Sequence, residues 1–357
     1  MHRAVVLLIA SAVVLGACSS STSVATPATS AASASTIVPS SSAADETTSL
    51  PGVSAPRASA TTAASGAPVA TGFGQTTSTG ATTTGAVRSS PPPTDPTIAR
   101  PFDVFVPTTY STSTAMPLVI LLHGYGASGA AQEAYFKLQA LAEQRGFLYV
   151  HPDGTKDPGG SRFWNATDAC CNLFGATVDD SAYLTSIIDH VQAKYSVDPK
   201  RIFLIGHSNG GFMSYRMACD HADMIAAIVS LAGATFADTS ACKPSEPVSV
   251  LEIHGDADHT INYDGASIAG HTYPGAKTTV STWASFDGCD PALRSVGPKL
   301  DLEAKIAGAE TSQSAFNGCW SGSAVELWTV AGGGHIPPLS ATFPSDVIDF
   351  LLGHPKT

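Results

Sequence analysis

From Ile98 onward the chain alternates short, almost uninterrupted apolar runs with longer stretches whose apolar residues recur at helical spacing. Pro117–His123 (Pro-Leu-Val-Ile-Leu-Leu-His) is nearly continuous and stops at Gly124, the pattern of a strand buried on both faces of a parallel sheet. A helix is expected from about Ser128 to Arg145 and a strand over Gly146–Val150. Between Asp179 and Tyr195, Tyr183, Leu184, Ile187, Ile188 and Val191 share one helical face. The order then repeats: strand Arg201–Ile205, helix Asn209–Cys219, strands Ile225–Ala232 and Val248–Ile253, helix Thr278–Phe286, strand Val325–Val330 and helix Pro344–Leu352. Strands separated by helices predict an α/β architecture, a mostly parallel central sheet with helices on both faces. Chemistry in such sheets gathers at the carboxyl ends of the strands.

Composition changes abruptly before this region. Between Ser19 and Thr97 the charged residues are Asp45, Glu46, Arg57, Arg88 and Asp95, and the aromatic residue is Phe73, too little to build a core. Residues 18–97 therefore read as a disordered Ser/Thr/Ala/Pro-rich linker, and residues 98–357 as a single folded domain. Ahead of the linker, Met1-His2-Arg3 supplies a positive start and Ala4–Leu15 an apolar run, shorter than the roughly 20 residues of a lasting membrane span. Leu15-Gly16-Ala17-Cys18 resembles the lipobox of bacterial lipoproteins. That resemblance implies a signal peptide over residues 1–17, lipid on Cys18 and export, with the linker reaching an r.m.s. distance of about 45 Å from the anchor.

The balance of 18 basic to 29 acidic residues, net charge −11, comes without a Lys/Arg run, which argues against nucleic acid and leaves membrane contact to the lipid alone. A monomer is expected. Export also accounts for the cysteines. Beyond Cys18, six remain, and sequence alone permits 15 pairings. Cys219 with Cys242 and Cys289 with Cys319 would each close a moderate loop, leaving Cys170 and Cys171 as an adjacent pair. No Cys-x-x-Cys occurs, so no metal is expected.

Three strand ends carry candidate chemistry. After Arg201–Ile205 stands Gly206-His207-Ser208-Asn209-Gly210, a Gly-x-Ser-x-Gly turn between strand and helix whose glycines permit a sharp bend and whose serine is left at its tip. A serine hydroxyl needs a base, and the base an orienting carboxylate. In this architecture they follow in the order serine, acid, histidine. The glycine-rich turn after Val325–Val330 delivers His335; the turn after Val248–Ile253 offers Asp256 and Asp258, and Asp258 is favoured because it lies further from the strand end, in the His-Gly-x-x-Asp pattern. Oxyanion donors are expected from the backbone N–H groups of Asn209 and of Tyr125 in His123-Gly124-Tyr125-Gly126.

His-Gly-Tyr at 123–125, Trp164-Asn165 with Cys170-Cys171, Val178-Asp179-Asp180, Gly206–Cys219, His254–Tyr263 and Gly332–His335 together resemble the poly(3-hydroxybutyrate) depolymerase and feruloyl esterase family of α/β-hydrolases. The resemblance covers nearly all of 98–357 and implies hydrolysis of carboxylic esters by Ser208, Asp258 and His335, without a cofactor. Its substrates would be a polyester, polyhydroxyalkanoate or aromatic, or the feruloyl and acetyl esters of plant polysaccharide. Trp164, His259 and Tyr263 are expected to contact substrate. Two departures border the acyl pocket: Asp258-His259-Thr260-Ile261-Asn262 where relatives read Asp-Pro-x-Val-Pro, and Ile336-Pro337-Pro338 where they place Trp after the histidine. An acyltransferase would use the same three residues, whereas a non-catalytic binding lipoprotein would need none of them.

Overall fold

The computed structural model describes residues 100–357. The expected signal peptide, Cys18 and linker lie outside the described residues. A nine-stranded sheet runs in the order β1 (Val104–Phe105), β3 (Leu148–Val150), β2 (Met116–Leu122), β6 (Val197–His207), β7 (Ala227–Leu231), β8 (Ser249–Gly255), β13 (Val325–Val330), β12 (Thr311–Phe316) and β11 (Arg294–Ser295). The pairs from β3 through to β13 are parallel; β1, β12 and β11 add antiparallel edges. The expected mostly parallel sheet is thus present. Two small hairpins stand apart, β4 (Thr155–Lys156) with β5 (Arg162–Phe163) and β9 (Gly265–Ile268) with β10 (His271–Pro274).

Residue alternation along the central strands divides the core in two. Leu118, Ile120 and Leu122 of β2 pack with the apolar faces of α3 (Asp180–Lys194), α4 (Asn209–Asp220) and α5 (Ala276–Phe286). Val119 and Leu121 point the other way, toward α1 (Gly129–Phe136), α2 (Gln139–Arg145) and α6 (Phe343–Gly353). Every residue of β2 is buried, which is why its sequence is an unbroken apolar run instead of an alternating one.

The single helix expected over 128–145 is two. Lys137 takes a left-handed conformation, φ 57° and ψ 42°, after α1. The Glu133 carboxylate then accepts the Leu138 and Gln139 N–H groups at 3.1 and 3.0 Å, capping the start of α2. An acidic side chain that satisfies the otherwise orphaned amides of a helix start makes the break favourable.

Three disulfides join Cys170 to Cys171, Cys219 to Cys242 and Cys289 to Cys319. The second ties the end of α4 to the loop before β8, and the third ties the segment after α5 to the end of β12. These two shorten the free loops of the unfolded chain, closing 23 and 30 residues, a stabilisation of typically about 2–5 kcal/mol for a native bridge. Melting followed by circular dichroism is therefore expected to show a midpoint several degrees lower with a strong reductant than without; coincident curves would mean that these bridges do not support the fold.

Candidate active site

The turn between β6 and α4 is built on close contacts that only glycine permits. A Cβ on Gly206 would sit 2.1 Å from the Gly210 carbonyl oxygen, and one on Gly210 would sit 2.2 Å from that of Leu122. Ser208 occupies the tip with φ 55° and ψ −121°, a strained region for a residue with a side chain. Its N–H donates to the Leu231 carbonyl at 2.8 Å, which anchors the turn to β7.

The turns after β8 and β13 are stitched together opposite this serine. Ala257 N–H donates to Gly333 O at 3.0 Å, Asp256 N–H to Val330 O at 3.1 Å, and Gly332 N–H to Asp256 Oδ1 at 2.6 Å. His335 is thereby carried over the sheet end, its Nε2 2.9 Å from Ser208 Oγ and its Nδ1 2.7 Å from Asp258 Oδ2. Asp258 Oδ1 accepts the Thr260 and Ile261 N–H groups at 2.8 and 3.0 Å. Burial alone would raise the Asp258 pKa, but the His254 ring 3.6 Å away and the hydrogen bond from His335 outweigh it and hold the carboxyl well below the usual range. Of the two competing aspartates, the structure puts Asp258 on His335 and gives Asp256 to a backbone amide.

The loop after β2 completes the surroundings. A Cβ on Gly124 would lie 3.4 Å from Ser208 Cβ, so this loop passes directly over the serine. Gly126 N–H is used by Arg162 O at 2.8 Å and Ala127 N–H by Gly124 O at 3.1 Å; the Tyr125 N–H has no acceptor among the described residues. The Tyr125 hydroxyl donates to Asp157 Oδ2, tying the loop to the β4–β5 hairpin. Asn209 begins α4, where a backbone N–H has no intrahelical acceptor. Its side chain is committed elsewhere, accepting Trp164 N–H at 2.7 Å and donating to Trp164 O at 2.9 Å. Two free N–H groups therefore flank the serine, an arrangement suited to a developing oxyanion.

A cleft of about 390 Å³ opens at Ser208 and His335, lined also by Gly124, Tyr125, Ala127, Ala131, Gln132, Tyr135, His207, Thr260 and Ile336. The expectation for Trp164 is corrected here. Its indole is 0 % exposed, donates Nε1–H to His123 O at 3.0 Å and stacks on Tyr183, so it supports the site from the core and does not meet substrate. His259 is exposed but outside the lining, and the Tyr263 hydroxyl is 2.7 Å from Thr329 Oγ1; Thr260, between them in sequence, is the residue of that segment that reaches the cleft.

Three supporting residues escaped the sequence reading. His207, inside the serine motif, donates Nε2–H to the His335 carbonyl at 2.8 Å, and burial together with the neighbouring His335 charge lowers its pKa to about 4, keeping it neutral. Gln132 accepts the Gly124 N–H at 3.3 Å. Tyr135 donates to Pro337 O at 2.6 Å, bracing the segment after His335. The signal for the first was its place beside the serine; the other two sit on α1 with nothing in their spacing to mark them. Among the described residues no cluster of His, Cys, Asp and Glu is placed to hold a metal ion.

A model of the phospholipase/carboxylesterase family matches residues 108–282. The protein of Nocardia uniformis subsp. tsuyamanensis named "Putative esterase NocK" is 30 % identical over 264 residues, covering 66 % of this chain and 74 % of its own. The chain belongs to this family of α/β-hydrolases. It is a carboxylic ester hydrolase. Feruloyl esterase B of Piromyces equi is 29 % identical over 239 residues, 64 % of this esterase and 41 % of that protein. Among solved structures, an acetyl xylan esterase from Aspergillus awamori superposes with a TM-score of 0.49 at 18 % identity, covering 70 % of this esterase and 92 % of that chain.

Proposed function

We propose that this esterase works through an acyl-enzyme on Ser208, with His335 as general base and then general acid, and Asp258 as the residue that orients His335. The observation that carries this is the unbroken line of hydrogen bonds from Ser208 Oγ through both ring nitrogens of His335 to Asp258 Oδ2, at 2.9 and 2.7 Å. His335 Nε2 takes the hydroxyl proton while Oγ bonds to the ester carbonyl carbon, and the resulting oxyanion faces the Tyr125 and Asn209 N–H groups. Collapse breaks the ester C–O bond, with the His335 proton leaving on the alcohol. Water deprotonated by His335 then attacks the acyl-enzyme and frees the acid and Ser208.

The substrate we favour is an acyl ester of plant polysaccharide, feruloyl or acetyl, in keeping with relatives named feruloyl esterase and acetylxylan esterase. A polyester is the second reading. It is favoured by the apolar side chains at the mouth of the cleft, Ile336 67 % exposed and Tyr125 37 %, which suit contact with a flat apolar chain. Export, and anchoring through lipid on Cys18 with residues 18–97 as tether, belong to the same proposal: they would hold the domain over 98–357 near polymer outside the cell.

The test compares the purified protein with its Ser208→Ala variant on p-nitrophenyl acetate, methyl ferulate, feruloylated arabinoxylan, acetylated xylan and polyhydroxybutyrate film. Serine-dependent release of ferulate or acetate from the polysaccharides, at least tenfold above release from film, is expected. Preference for film moves the substrate to the second reading, and turnover on none of the five, with an intact fold, overturns both.

A further inference from the structure

Beside Asp258 lies a titratable pair that the mechanism above does not use. Glu252 and His254 occupy alternate positions of β8 and are both fully sequestered, at 0 and 1 % exposure. His254 Nδ1 is 2.9 Å from Glu252 Oε1 and its Nε2 is 2.8 Å from the Ile261 carbonyl oxygen. Its Nε2 also lies 3.6 Å from Asp258 Oδ2, the same oxygen that receives His335 Nδ1.

The protonation of this ring follows from its partners. A carbonyl oxygen only accepts, so Nε2 carries a hydrogen. Glu252 Oε1 accepts the Gly233 N–H at 3.2 Å, and Oε2 the Tyr215 hydroxyl at 3.0 Å. Burial pushes the Glu252 carboxyl up, but donors on both of its oxygens, with His254 beside it, favour the carboxylate, which leaves the shared hydrogen on Nδ1. Both ring nitrogens are then protonated, and the ring is an imidazolium paired with a carboxylate. Burial works against that charge, but the nearby Asp258 carboxylate, the hydrogen bond to Glu252 and the Glu252 charge raise the His254 pKa to about 10. The groups that face the pair are Tyr215 from α4, Ser230 from β7, Tyr263 edge-on to the ring, Asp258 and His335 in front, and His207 beyond them.

We propose that His254, held as an imidazolium by Glu252, is a positioning residue that turns a buried positive charge onto the carboxylate orienting His335 and thereby sets the acidic limit of kcat/KM. This rests on the reading of Asp258 as the orienting acid. A cation beside Asp258 offsets part of the negative charge that would otherwise stabilise protonated His335. The same ring holds the Ile261 carbonyl and thus the 258–261 turn, so geometry and charge are set by one side chain.

The test is the pH dependence of kcat/KM for the wild type and His254→Gln, whose amide can still donate to Ile261 O. Without the cation, Glu252 takes up a proton and Asp258 acts on His335 undiminished. The acidic limb of kcat/KM is expected to move up by on the order of one pH unit, roughly a tenfold loss on the limb and little loss on the plateau. A uniform loss with the limb unmoved would reduce His254 to a structural part and overturn the proposal. Nitrogen NMR of the wild-type histidines, independent of whether the variant folds, is expected to show both His254 ring nitrogens protonated from pH 5 to 9; one bare nitrogen at pH 7 would equally overturn it. Failure of the underlying reading registers separately, as an Asp258→Asn enzyme that keeps its kcat.

Discussion

Ser208→Ala is expected to lower kcat by about 10⁶ while leaving the melting midpoint within a degree or two of the wild type. The loss is large because only Oγ lies in line with His335 Nε2, at 2.9 Å. Remaining turnover would come from the N–H groups of Tyr125 and Asn209 and from the cleft itself. Stability is spared because alanine inherits the same backbone angles and because the turn is fixed by its neighbours: Ser208 N–H on Leu231 O, and the glycines packed against Leu122 and against each other. Steady-state kinetics on p-nitrophenyl acetate beside a thermal melt separates the two effects, and a variant retaining more than about a hundredth of kcat would remove Ser208 as nucleophile.

The second large effect distinguishes two aspartates two residues apart. Asp258→Asn is expected to cost about 10⁴ in kcat. The mechanism is one of tautomers: an amide nitrogen opposite His335 Nδ1 would donate where the carboxylate accepts, forcing the ring hydrogen onto Nε2, where it can no longer take the serine proton. Asp256→Asn removes only charge from an acceptor of the Gly332 N–H, a loop contact worth about 1 kcal/mol and so less than tenfold in rate. The ratio of the two kcat values is the measurement, and similar losses would undo the assignment.

The central strands were legible because each is buried on both faces and therefore apolar without interruption, as in Leu118–Leu122. The outer strands were not. β12 reads Thr-Ser-Gln-Ser-Ala-Phe and shows burial chiefly at its two ends, so it carries no apolar run and its antiparallel pairing to β13 comes from the ladder alone. The break between α1 and α2 depends on one carboxylate folding back on two amides, a contact that periodicity does not encode. Within the site, the serine turn announces itself through its glycines. His254 does not, because a histidine closing a strand before glycine looks like an ordinary core residue until Glu252, Ile261 and Asp258 are seen around it. Trp164 misled in the opposite sense: an aromatic residue near the site could serve as a substrate shelf or as core, and it is core, its backbone held by Asn209 and its ring by His123 O and Tyr183.

Among the described residues the sheet ends on both sides in strands of two residues, β1 and β11. Long open strand edges are templates on which another chain can add by backbone pairing, and short ones leave almost no ladder to extend. Arg294 on the β11 edge is exposed and adds a charge that a second edge would have to desolvate. The consequence concerns crowding: these two edges give copies held side by side little backbone on which one sheet could extend another.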